Sequence, residues 1–230
     1  MSLRIAIMQP YFFPYGGYYR LFAAADVFVA LDCVQFPRRG WVHRNQFSNP
    51  NGEPQWLTLP LTKGDRDTTR ICDLTFSEDA RQAMEKQTRR FPCFNDLEKK
   101  EPQLATILAD FGVSPVQYLI RGLEWATERL GLKRPIVMSS SLEIPQKFKA
   151  QDRIIEIAKR MNAEHYINAP GGRNLYDTAA FKSAGLSLNF LPDYAGSYQS
   201  ILQRLLNEST ASVAQEILQN TSLSECDHLI

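Results

Sequence analysis

Three stretches of this chain combine glycine, arginine and aromatic residues in patterns that suit a planar ligand bearing phosphate. In the first, Tyr15-Gly16-Gly17-Tyr18 follows Gln9 and opens a helix just beyond a short apolar strand. Glycines at such a junction let backbone N–H groups approach a phosphate, and the positive end of the helix dipole favours its charge. Tyr15 and Tyr18 would wall a flat ring. The second stretch, Gln35 to Gln46, holds Arg38, Arg39, Trp41, His43, Arg44 and Asn45. Guanidinium groups grip phosphate bidentately, and an indole stacks on a planar group. The third, Asn168 to Asn174, offers Asn168, Gly171, Gly172 and Arg173, again between a strand and a helix. Each has a structural alternative: a tight turn among core aromatics, a solvated loop, and a connecting turn, respectively.

For proton transfer the candidates are His43 and Asp32. A histidine's ordinary pKa lies nearest neutral pH, and Asp32 ends a strand on the expected ligand edge. Ser139-Ser140-Ser141 could offer hydroxyls to a phosphate, but no Gly-x-Ser-x-Gly surrounds them, which excludes a nucleophile elbow. The histidines (His43, His165, His228) are widely separated, so no metal site is expected. Cys33, Cys72, Cys93 and Cys226 form no Cys-x-x-Cys pair, which argues against a disulfide framework or zinc site and for a reducing compartment.

The elements that must position these residues read as α/β. Residues 4–8 and 27–31 are short apolar strands flanking a helix over 17–24, a compact βαβ unit. Residues 33–54 read as a long loop or irregular hairpin, 55–61 as a strand limited by Pro60, and 70–76 as another. Helices are expected at 77–90, 99–110 and 116–130, a helical segment at about 77–132 placed between two α/β parts. A strand running into a loop over 136–141 and strands at 166–168 and 186–191 then alternate with helices at 152–161 and 177–183. A helical tail covers about 197–230, with helices at 197–206 and 209–219. This order implies a single domain over 1–230 with a mainly parallel sheet covered on both faces.

Composition narrows the class. With 26 basic and 25 acidic residues among 230, nothing global points to nucleic acid. The apolar run at residues 5–8 is too short for a signal peptide, and the run from Leu21 to Leu31 is broken by Asp26, so no membrane span is expected. The expectation is a cytoplasmic protein.

The stretch from Met8 to Tyr19, then Ala25 to Val29, Gln35-Phe36 and Trp41 to Asn45, resembles the WbqC-like protein family, as do Tyr166 to Asn168, Gly171-Gly172, Tyr176 and Phe181. That resemblance implies a role in bacterial O-antigen or other surface-polysaccharide assembly, with glycine (aminoacyl) transfer as the suggested reaction. More distantly, the chain is similar to the nucleotidylyltransferase-like (Rossmann-like) α/β fold, whose His-x-Gly-His position is held here by Tyr15-Gly16-Gly17-Tyr18. Tyrosine hydrogen-bonds phosphate but carries no positive charge at neutral pH. The joint expectation is an enzyme that moves a small acyl or aminoacyl group, glycyl for example, onto a nucleotide-linked amino sugar. An ATP-dependent ligase forming an adenylate, or a non-catalytic nucleotide- or sugar-binding protein, are the alternatives. ATP or a nucleotide sugar is the implied small molecule. The sugar, the donor and the oligomeric state are not set by the sequence.

Overall fold

Apolar runs of four or five residues are too short for buried helices and become strands when both faces can be covered. The computed structural model describes residues 2–65 and 67–221. Five strands of three to five residues, β1 (Arg4–Met8), β2 (Val27–Ala30), β5 (Ile136–Met138), β6 (His165–Asn168) and β7 (Ser187–Phe190), form one parallel sheet in the order β5-β2-β1-β6-β7. Between β2 and β5, β3 (Arg44–Ser48) and β4 (Pro54–Thr58) make a separate antiparallel hairpin.

Side-chain alternation along β1 divides the core. Ala6 joins Phe28 and Ala30 on the face packed by α1 (Gly16–Ala24), with Leu21 and Phe22, and by α5 (Pro115–Arg129), with Leu119 and Leu123. Ile5, Ile7 and Val29 meet α6 (Ala150–Arg160), through Ile154 and Ile157, and α7 (Thr178–Ser183), through Phe181. Right-handed crossovers require this split, because connections from β1 through β2 to β5 step one way and those onward to β6 and β7 step back. The reversal falls between β1 and β6, and crevices beyond the carboxyl ends of strands at such a point are where open α/β sheets bind ligands.

Several sequence expectations shift. The strand expected at 70–76 is a single turn over Ile71–Asp73, because Arg70 clamps Asp73 with bonds of 2.8 and 2.9 Å and folds the chain three residues on. The helix expected at 99–110 divides into α3 (Leu97–Lys100) and α4 (Pro102–Ala109), since a residue before proline avoids helical backbone. Within 33–54 the irregular hairpin resolves into β3, paired from Arg44↔Thr58 to Ser48↔Pro54. The helical segment comprises α2 (Ala80–Thr88) with α3 to α5, and the described tail holds α8 (Ile201–Asn207) and α9 (Thr210–Gln219). Cys226, His228 and the end of the expected tail lie outside the described residues. Among the described residues no helix is long and apolar enough to cross a membrane.

The aromatic loop after β1 is held by an unusual turn. Phe13 takes a left-handed backbone conformation (φ 44°), which costs a bulky residue about 1–3 kcal/mol. Its carbonyl accepts the Asn45 amide at 2.6 Å and the Ser200 hydroxyl at 2.9 Å, and the Phe12 carbonyl accepts the same Asn45 amide at 3.0 Å. The Phe13 ring then seats over Gly122 of α5, where a Cβ would come within 3.0 Å of it. Replacing Asn45 by alanine orphans the Phe12 carbonyl and leaves the Phe13 carbonyl to Ser200 alone, so Asn45→Ala is expected to lower unfolding free energy by roughly 1–3 kcal/mol in urea titrations. A loss below about 0.5 kcal/mol would show that the turn holds without the amide.

Candidate functional site

A cleft of about 980 Å³ lies across the carboxyl ends of β1, β2 and β5. Gln9 follows β1; Leu31, Cys33, Val34 and Gln35 follow β2; Ser139 and Ser140 follow β5. The start of α6 supplies its N-cap Lys149 with Gln151 and Arg153, and Tyr176 closes the end nearest β6. Arg70 and Thr68 complete the wall from the turn that pairs back onto Gln35.

Charge in this cleft is unevenly committed. The Arg70 guanidinium is neutralised by Asp73. Arg153 donates to the Phe148 carbonyl at 3.0 Å and to the Cys33 sulfur at 3.3 Å, and neither it nor Lys149 has an ion pair among the described residues. Both sit where α6 begins, and no side chain caps that helix start. Two cations and an uncapped helix N-terminus favour an anion at this end, set against the negative charges of Asp152 in the first turn and Glu143 on the lining.

Asp32 is 1% exposed and serves as a clamp beneath the cleft. Its carboxylate accepts the Ser139 hydroxyl at 2.9 Å, the Ser140 N–H at 2.8 Å and the Ser140 hydroxyl at 2.6 Å. The Ser139 oxygen in turn accepts the Asp32 and Cys33 N–H groups at 3.0 and 3.2 Å. The end of β2 is thereby fastened to the end of β5. The Ser141 hydroxyl is turned to the Met138 carbonyl, 2.7 Å away.

Of the sequence-predicted site residues, the cleft lining includes Gln9. The glycine pair lies under aromatic cover: a Cβ at Gly16 would collide with the Tyr194 hydroxyl, and one at Gly17 with the Tyr15 ring. Tyr15 stacks on Tyr198 with ring centres 4.8 Å apart, and Tyr18 is buried with its hydroxyl on the Gln9 carbonyl at 2.7 Å. Arg38 donates to the Gly64 carbonyl, Arg44 to the Gly40 and Arg39 carbonyls at 3.2 and 2.7 Å, and Asn45 holds the Phe13 turn. Arg39 and Trp41 stand exposed on that loop. Asn168 is buried with its side-chain oxygen on the Ala169 N–H at 2.8 Å, above Gly172; Gly171 is exposed, and Arg173 reaches the Leu191 carbonyl at 3.1 Å. Arg153, Lys149, Cys33, Arg70 and Tyr176 were missed. The signal for α6 was available: a helix following a parallel strand starts at the same sheet edge, so its first-turn side chains face the ligand side.

A model of the WbqC-like protein family matches residues 9–209. The chain belongs to that family. Both the aromatic loop and the cleft fall inside the matched range, whereas β1 and α9 lie wholly outside it. This WbqC-like chain is also similar to the uncharacterized protein Rv1507c of Mycobacterium tuberculosis, at 24% identity over 232 aligned residues, covering 98% of this chain and 97% of that one. No solved structure matches.

His43 lines a separate hollow of about 250 Å³ with Phe36, Arg38 and Leu61. Burial, with the Arg44 charge adding to it, holds its pKa down to about 4, and its Nδ1 is buried without a partner. His43 is therefore neutral at pH 7. Because its folded pKa lies below the ordinary 6.5, the unfolded chain binds the proton first, and stability falls as pH drops from about 6.5 to about 4. His43→Gln is expected to flatten urea-midpoint curves across that window; a wild-type slope retained in the variant would assign it to other groups.

Proposed function

We propose that this WbqC-like chain is an enzyme of bacterial surface-polysaccharide assembly that transfers a small acyl or aminoacyl group, glycyl in the most specific form, onto an amino sugar carried by a nucleotide. The observation that carries this reading is the cleft itself: about 980 Å³ beside the β1/β6 reversal, with Lys149 and Arg153 at the uncapped start of α6. That volume suits a small ligand of nucleotide-sugar size. Lys149 and Arg153 would neutralise the diphosphate, and Gln9 would orient the sugar. Asp32 acts as a positioning residue, fixing Ser139 and Ser140 on the rim. The chemistry required is attack of the sugar amine on an acyl carbonyl, with the amine proton and the donor's leaving group released.

Thermal-shift titration against UDP- and dTDP-linked amino sugars and ATP tests it. A nucleotide amino sugar at 100 times its dissociation constant is expected to add about 2.7 kcal/mol of stability. Arg153→Ala should weaken that binding by roughly 10- to 100-fold, the worth of one charge-assisted contact. Incubation with glycine and ATP should then raise the sugar's mass by one glycyl group. Stabilisation by ATP alone would favour the adenylate-forming ligase, binding without a mass change the non-catalytic reading, and no stabilisation by any of them would end the cleft assignment.

A further inference from the structure

The outer face of the β3–β4 hairpin carries two exposed indoles among guanidinium groups. Register sets Gln46 opposite Trp56, so Arg44 and Trp56 lie diagonally on one face. The Arg44 guanidinium stands 4.2 Å from the centre of the Trp56 ring. Trp41, from the preceding turn, closes on Trp56 with ring centres 5.1 Å apart and planes tilted by 46°. Arg90 joins them by donating to the Trp56 carbonyl at 3.3 Å, and Arg39 is exposed on the turn that Arg44 braces. Trp41 is 45% and Trp56 36% exposed, although indoles are normally well covered. None of Arg39, Arg44 and Arg90 is ion-paired among the described residues.

We propose that this face is a second binding site, separate from the cleft, for a saccharide chain bearing carboxylates. The axial C–H groups of a pyranose ring carry slight positive charge and suit the negative face of an indole. Two indoles already in contact leave no slot between them for a flat base, and with Arg44 laid over the Trp56 ring the more exposed Trp41 is the facet left for a puckered ring, with Trp56 beside it. Arg39, whose side chain has no hydrogen bond or ion pair among the described residues, can meet a carboxylate bidentately, while Arg44 and Arg90, each holding two main-chain carbonyls, add positive charge beside it. Single-stranded nucleic acid would call for a longer cationic track, whereas three arginines gather here in a chain of net charge +1. The platform is also set before any ligand arrives. The Trp41 carbonyl accepts the Phe12 N–H at 3.2 Å, and Arg44 pins the Gly40 and Arg39 carbonyls, so little ordering is left to binding.

Tryptophan fluorescence reads this site, because Trp125, the third indole, is buried. Tetragalacturonate is expected to change the emission saturably and to bind more weakly as salt rises. Trp56→Ala and Arg90→Gln should each weaken it by roughly tenfold or more, the worth of one stacking or charge-assisted contact. Stabilisation of Trp56→Ala by the nucleotide amino sugar should match wild type. If Trp56→Ala does not fold, Arg90→Gln carries the comparison. No emission change with tetragalacturonate, equal binding of maltotetraose, tighter binding of an oligothymidylate, or burial of the indoles by self-association in sedimentation would each overturn the proposal. The nucleotide-sugar shift reports on the cleft alone, so its failure and the failure of this site are separately visible.

Discussion

The Asn45 side-chain amide on the Phe12 and Phe13 carbonyls is the interaction on which the rest of the arrangement depends. It holds a bulky residue in left-handed backbone, and that turn sends the chain from the end of β1 back into α1. Four parts of the molecule converge there. Asn45 comes from β3, the Ser200 hydroxyl from the loop before α8, the Trp41 carbonyl from the turn before β3, and Gly122 from α5 gives the Phe13 ring its seat. A conformation that is unfavourable locally persists only when its surroundings over-determine it, and here they do so from three sides of the sequence.

That turn decides what the two basic, aromatic loops can do. With Phe12 and Phe13 turned into the core, Tyr15 and Gly16 meet the segment carrying Tyr194 and Tyr198, and Tyr194 is fixed by Glu216, which Arg204 in turn holds at 2.7 Å. Arg20 is fully buried and spent on the Gly17, Pro192 and Asn220 carbonyls. Arginines around α1 thus stabilise its packing against the C-terminal helices. In the cleft the balance is reversed, because Arg153 donates to neutral groups and neither it nor Lys149 is ion-paired among the described residues.

Much of the fold was legible in the sequence for a simple reason. Runs such as Val27–Ala30 and Ile5–Ile7 are apolar on consecutive residues, which only strands buried on both faces tolerate. Proline and glycine placed the connections, and alternation of short strands with helices indicated the parallel sheet. The site was less legible. Its lining comes from five separate segments, and local spacing does not encode which of them meet. The glycine pair at 16–17 signals close approach correctly, but sequence alone does not distinguish a phosphate from a tyrosine ring as the approaching group. The arginines at 38 and 44 likewise find main-chain carbonyls, a commitment set by loop conformation.

The most direct measurement is a crystal structure of the chain soaked with a nucleotide-linked amino sugar. The expected result is density across the ends of β1, β2 and β5, with the diphosphate against Lys149 and Arg153. Density with the phosphates against Gly16 and Gly17, and Tyr194 displaced, would contradict it.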